Sequence, residues 1–320
     1  MLPDPVMIRS VLVPLDASPF GEHAIPVAAS LARRAEATLH LAHVHVPVPP
    51  PAELEGTPYY DTMFYGAVMD REREYMDGIR ERVAGIEGVE VETSLLSGSI
   101  VEALQEHGEA VAASIVVLST HGYEGLMRLL QHGLVDRLLR RLSGPVLAIR
   151  PEDDAPPPDL ARDVVFRHLL VPLDGTPAGE GILRHAIALA RLFGAQMTLL
   201  RPADAAGSGG PGVFGQDAPA DTRGAARARE QAERYLENVA AEVRDAGVEV
   251  STRVELTDAP AETILEVAGE GGAGTVFDLI AMDTRARKGI ARLLRGSVAG
   301  DVLQESPVPM LLHHTPRDGE

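Results

Sequence analysis

No cysteine occurs in the 320 residues, which excludes disulfides, thiolate nucleophiles and cysteine-bound metals. No run of 18 apolar residues is present either, so nothing in the sequence reads as a membrane-spanning helix. The start, Met1-Leu2-Pro3-Asp4-Pro5, lacks the basic and apolar regions of a secretion signal, and a cytoplasmic protein is the expectation. Basic residues are in short supply. With 29 Lys and Arg against 47 Asp and Glu, the formal charge of -18 argues against a general affinity for nucleic acid or anionic membrane. Catalytic signatures are missing as well: there is no G-x4-G-K-[S/T] phosphate loop, no S-G-G-x-D-S-type loop and no persuasive pairing of nucleophile and base.

What is present is repetition. Ser10-Val11-Leu12-Val13-Pro14-Leu15-Asp16 has a partner 158 positions later, His168-Leu169-Leu170-Val171-Pro172-Leu173-Asp174, sharing Val-Pro-Leu-Asp. A small-residue turn and an alanine-rich helix follow in each case. The second of these helices places Ile182, Leu183, Ala186, Leu189, Ala190 and Phe193 on one face. Strands are expected at Ala37–Val46 and Ala195–Leu200, then loops rich in proline or glycine, then charged helices over Asp70–Gly85 and Arg223–Ala246. Short strands at Val89–Leu96 and Val248–Leu256 lead into helices beginning near Ser99 and Pro260. Each half closes with strand, loop, helix and strand, ending at Pro145–Ile149 and at Val308–Leu312.

This alternation predicts an α/β protein: two tandem five-stranded parallel sheets flanked by helices, with domains at 1–151 and 165–320. Residues 152–164, acidic and proline-rich, read as a semi-extended linker. With 45% apolar residues the chain can build both cores.

Ligands of open parallel sheets bind above the carboxyl ends of the strands, where the winding reverses. Asp16 and Asp174, which end the first strand of each half, are placed either to accept from a sugar hydroxyl or to cap the next turn. Gly296-Ser297 opens a helix whose first N–H groups suit an anion, with Ser297 as a cap or as a phosphate partner. His43 and His45 share a strand face, but no third metal ligand is visible, so they read as ordinary strand histidines. Tyr59, Tyr60, Phe64 and Tyr65 either cover this crevice, meet a partner or pack onto the next helix.

Together, the doubled Val-Pro-Leu-Asp strand, the doubled five-strand alternation and the Gly-Ser-Val helix before the last strand resemble the universal stress protein family in tandem form. The resemblance implies a Rossmann-like fold, pairing of two domains within the chain, homodimerisation and, in some members, ATP or another adenine nucleotide held with Mg. ATP-binding members carry a G-x2-G-x9-G-[S/T] loop. By that resemblance the nucleotide contacts fall at Pro14, Asp16, Val44, Thr120, His121, Gly122 and Gly133 in the first half, and at Pro172, Asp174, Gly296, Ser297 and Val298 in the second.

Both loops depart from the pattern. Ser119 replaces the first glycine and His132-Gly133 replaces Gly-Ser in one half; Asp283 and Ala286 replace two glycines in the other, where Pro202 also stands in the place of Val44. A phosphate about 4 Å from the Asp283 carboxylate would meet roughly 4 kcal/mol of repulsion at an effective dielectric near 20, with Arg285, Arg287 and Lys288 close enough in sequence to offset part of it. The expected function is a non-catalytic or weakly catalytic stress-response module with an adenine nucleotide in a degenerate loop, and no catalytic or metal-ligating residue is assigned. The alternatives are a nucleotide-free dimerisation scaffold and a slow ATP hydrolase.

Overall fold

The computed structural model describes residues 6–47, 65–120, 134–142, 144–152, 155–204, 222–270, 276–284 and 297–315. The chain divides into two compact units, with the boundary at Val165 and Phe166.

In the first unit β1 (Ser10–Leu15), α1 (Ala24–Ala35), β2 (Thr38–His45), α2 (Tyr65–Val83), β3 (Glu90–Ser97), α3 (Ile100–Ala110), β4 (Ile115–Ser119), α4 (Leu134–Arg141) and β5 (Val146–Ile149) alternate as expected. The strands lie in the order β3-β2-β1-β4-β5, and every pair is parallel. Leu12 and Val13 on β1, Leu39 and Leu41 on β2 and Val117 on β4 are fully buried, as strands covered by helices on both faces require.

The second unit repeats the plan: β6 (His168–Pro172), α5 (Leu183–Phe193), β7 (Gln196–Ala203), α6 (Thr222–Asp245), β8 (Val250–Leu256), α7 (Pro260–Gly269), β9 (Leu279–Thr284), α8 (Val298–Glu305) and β10 (Met310–His314). Its parallel order is β8-β7-β6-β9-β10. In each unit the winding reverses beside the first strand, between β1 and β4 and between β6 and β9.

Two strands start later than their apolar runs, Val276–Met282 and Val308–Leu312, suggest. Val276 is 64% exposed, and the Asp278 carboxylate accepts from the N–H groups of Arg167 and His168, so the β9 ladder begins at Leu279. At β10 the Ser306 hydroxyl donates to the carbonyl of Val308 and holds a turn ahead of Pro309, which moves the strand start to Met310. The segment after the acidic stretch belongs to the first unit. There Arg34 holds Asp163 through both carboxylate oxygens at 2.8 Å, Val164 N–H donates to Ser30 Oγ at 2.7 Å, and Leu160 is buried.

Gly144, between α4 and β5, has no room for a side chain: a Cβ would lie 2.7 Å from the Ser114 carbonyl oxygen, a backbone atom that cannot swing away. Gly144→Ala is therefore expected to destabilise the protein by about 2 kcal/mol through forced backbone displacement, read as a lower urea midpoint. An unchanged midpoint would show that the loop yields freely.

Candidate nucleotide-binding crevice

The turn after each first strand is built by its aspartate. Asp16 Oδ1 accepts from the N–H of Ser18 at 3.1 Å and from its hydroxyl at 2.6 Å, and Ser18 Oγ accepts from Gly21 N–H at 3.1 Å. In the second unit Asp174 Oδ1 accepts from Thr176 N–H at 3.0 Å and from its hydroxyl at 2.7 Å, while Thr176 Oγ1 accepts from Gly179 N–H at 3.2 Å. Of the two roles open to these aspartates, the turn cap is the one in place, and it holds both carboxylates at the carboxyl edge of their sheets.

Behind these turns the fourth strand of each unit is tied to the last. Thr120 Oγ1 donates to the Ile149 carbonyl at 3.2 Å, and Thr284 Oγ1 donates to the His313 carbonyl at 3.1 Å. Of the other first-half candidates, Pro14 lies on β1 opposite Ala42, and Val44 lies buried on β2 opposite Leu96. His121, Gly122 and Gly133 fall outside the described residues, as do Gly296 and the aromatic positions Tyr59, Tyr60 and Phe64.

The second unit brings its candidates together. A cavity of about 460 Å³ at the carboxyl ends of β6, β7 and β9 is lined by Pro172, Asp174, Ser297 and Val298, and also by Arg201, Pro202 and Met282. This size suits a small-molecule ligand. Ser297 is the N-cap of α8: its hydroxyl accepts from Gly300 N–H at 3.1 Å and fixes the helix end at the cavity wall.

Asp283, the residue expected to oppose a phosphate, also lines this cavity. Its side chain is only 1% exposed, and Oδ2 accepts from His313 Nδ1 at 2.9 Å and from the Thr315 hydroxyl at 2.7 Å. The other ring nitrogen, His313 Nε2, faces Arg184 Nη2 at 3.3 Å, so the imidazole links the buried carboxylate to a cation. His185 lies beside this chain, with its ring 4.6 Å from that of His313. Burial, assisted by His313 and Arg184, pushes the His185 pKa down to about 3.

Arg201 is the residue that sequence reasoning missed. It occupies the place of His43, and the signal was available: the 158-residue offset of the Val-Pro-Leu-Asp strands pairs the two positions. His43 Nδ1 donates to the Leu15 carbonyl at 2.8 Å, and Arg201 Nη1 donates to the corresponding carbonyl of Leu173 at 3.4 Å and to Pro202 O at 2.7 Å. Burial lowers the Arg201 pKa from its ordinary value, and it remains a cation.

His43 and His45 do share a face. Glu72 on α2 reaches both, at 3.5 Å from His43 Nε2 and 2.7 Å from His45 Nδ1. Among the described residues no group of three or more His, Asp or Glu side chains is arranged to hold a metal.

The Universal stress protein family profile matches the chain twice, over residues 7–150 and 166–314. The chain belongs to the universal stress protein family. A universal stress protein of Mycolicibacterium smegmatis is 26% identical over 309 residues, spanning 94% of this chain and 96% of its own length. Another from Methanocaldococcus jannaschii is 27% identical over 154 residues, 48% of this chain and 85% of its own. Among solved structures, a universal stress protein from Archaeoglobus fulgidus superposes with a TM-score of 0.65 at 17% identity, covering 97% of both chains. The fold of this tandem protein is thus that of the family.

Proposed function

We propose that the second half of this tandem universal stress protein holds a purine nucleotide, its phosphates directed at the N-terminus of α8, and that the protein acts as a ligand-responsive regulatory module without a dedicated catalytic apparatus. The reading is carried by one observation: a cavity of about 460 Å³ that gathers Asp174 of the first-strand turn and the helix-capping Ser297 at one sheet edge. A helix N-terminus and its capping hydroxyl favour phosphate oxygens, and Asp174, even while holding its turn, offers acceptor capacity to a ribose hydroxyl. Asp283 lines the same cavity, and hydrogen bonds from His313 and Thr315 turn one oxygen of its carboxylate into the protein. ATP with Mg is the ligand the family resemblance suggests first.

Calorimetric titration of the purified chain with ATP, GTP and MgCl2, preceded by mass spectrometry of co-purified small molecules, tests this. The expected result is saturable binding that weakens several-fold in Ser297→Ala. Flat titrations with every purine nucleotide, and no co-purified nucleotide, would leave a nucleotide-free scaffold. Phosphate release well above background would make it an enzyme.

A further inference from the structure

We infer that Arg201 selects the base of the ligand, presenting the Nε and Nη2 edge of its guanidinium to a pair of acceptors, so that the second half favours a 6-oxopurine such as guanine over adenine. The inference rests on the nucleotide reading above and deepens it.

Three observations carry it. Of the five N–H donors of Arg201, those on Nη1 go to the carbonyls of Leu173 and Pro202; among the described residues nothing accepts from Nε or Nη2, and no carboxylate forms an ion pair with the group. The first half shows what such a position ordinarily requires. His43 there has Glu72 beside it, three residues before Tyr75 on α2. Tyr235 occupies the place of Tyr75 in the second half, contacting Glu180 as Tyr75 neighbours Glu22, and three residues before it stands the buried Ala232. The acid that would answer a cation at the end of the second strand has been replaced by a methyl group, while the cation has been placed in the cavity.

The third observation is Gly175. It sits at φ +76, and a Cβ built there would lie 3.3 Å from both Nε and Nη2 of Arg201, against the very edge that has no partner. Glycine at this position spares that edge the close contact a side chain would make. The Nε/Nη2 edge is a planar fork that matches two acceptors side by side. With phosphates drawn to Ser297 at one wall of the cavity, the group left to face Arg201 and the apolar rings of Pro172 and Pro202 is the base. Guanine offers O6 and N7 as two adjacent acceptors to an arginine fork, whereas adenine offers N7 beside the N6 amino donor, which opposes an N–H.

The test is titration of the full chain with GTP, ITP and ATP. ITP keeps O6 and N7 and lacks the 2-amino group, so it isolates the edge in question. The unmodified protein is expected to bind GTP and ITP at least tenfold more tightly than ATP. Arg201→Met and Arg201→Lys should both bring the three nucleotides to within about threefold of one another; the lysine variant keeps the charge and loses the fork, and it guards against loss of folding in the methionine variant. ATP bound as tightly as GTP by the unmodified protein overturns the inference. So does an equal loss of GTP, ITP and ATP in both variants, which would place phosphate at Arg201, or a guanine preference that survives in Arg201→Lys. If no purine nucleotide binds at all, the nucleotide reading itself fails, a result distinct from binding without base preference.

Discussion

Acidification from pH 6.5 towards 3 is expected to cost this protein about 1.4 kcal/mol per pH unit through His185 alone. The folded-state pKa of this histidine, about 3, lies below the ordinary value of 6.5. Between those limits the unfolded chain binds a proton that the folded chain refuses. The contribution of His185 to stability is therefore complete above pH 6.5 and declines as the pH falls, with the loss ending only near pH 3. The physical cause is mainly burial: the imidazole is 6% exposed on α5, and a charge there would also face Arg184 and the ring of His313. Asp283 lies beyond His313 and is already occupied by it. Urea unfolding of the intact chain at several pH values between 6.5 and 4.5 measures the slope, and His185→Gln should flatten it by close to one proton. Parallel slopes in the two proteins would mean that His185 is protonated in the folded state.

The second large effect is expected at Glu22 in the first half. Its carboxylate is 4% exposed and is held at both oxygens by Arg82 from α2, at 3.1 and 2.6 Å. Two parallel charge-assisted hydrogen bonds make the pair directional. Removing the cation strands a buried charge, so Arg82→Met should lower stability by about 3 kcal/mol, at the low end for a broken buried pair because Arg82 itself is half-exposed. Pairing that change with Glu22→Gln should recover most of the loss. Urea midpoints for the two single variants and the double variant give the coupling directly, and simple additivity would show that the two groups stabilise the fold independently. In the second half the Tyr235 hydroxyl donates to the corresponding carboxylate, Glu180, at 2.9 Å, and burial together with that carboxylate pushes the phenol pKa up.

Much of the architecture was legible in the sequence. The doubled Val-Pro-Leu-Asp strand and the alternation of β-branched runs with amphipathic stretches are local signals, and they led to the parallel pairing found in both units, though not to the order of the strands. The late starts of β9 and β10 were not legible, because they depend on where the Asp278 carboxylate and the Ser306 hydroxyl find their partners. The same limit applied to the crevice. Asp174 and Ser297 stand at ends of elements, which sequence marks well, and they line one cavity. Glu72 lies on a helix 27 positions after His45, so no periodicity within β2 could reveal it. Arg201 stood at the end of a strand that read as apolar, and only comparison with its counterpart in the other half exposes it.

The pairing of His43 with Glu72, against Arg201 with Ala232, bears on how the two halves can be recombined. A graft that moved arginine alone into position 43 would set it against Glu72 and tie it up in an internal ion pair. The copies have diverged in interlocking sets, and a chimaera leaves the Nε and Nη2 edge of the arginine without an acid only when strand end and facing helix travel together.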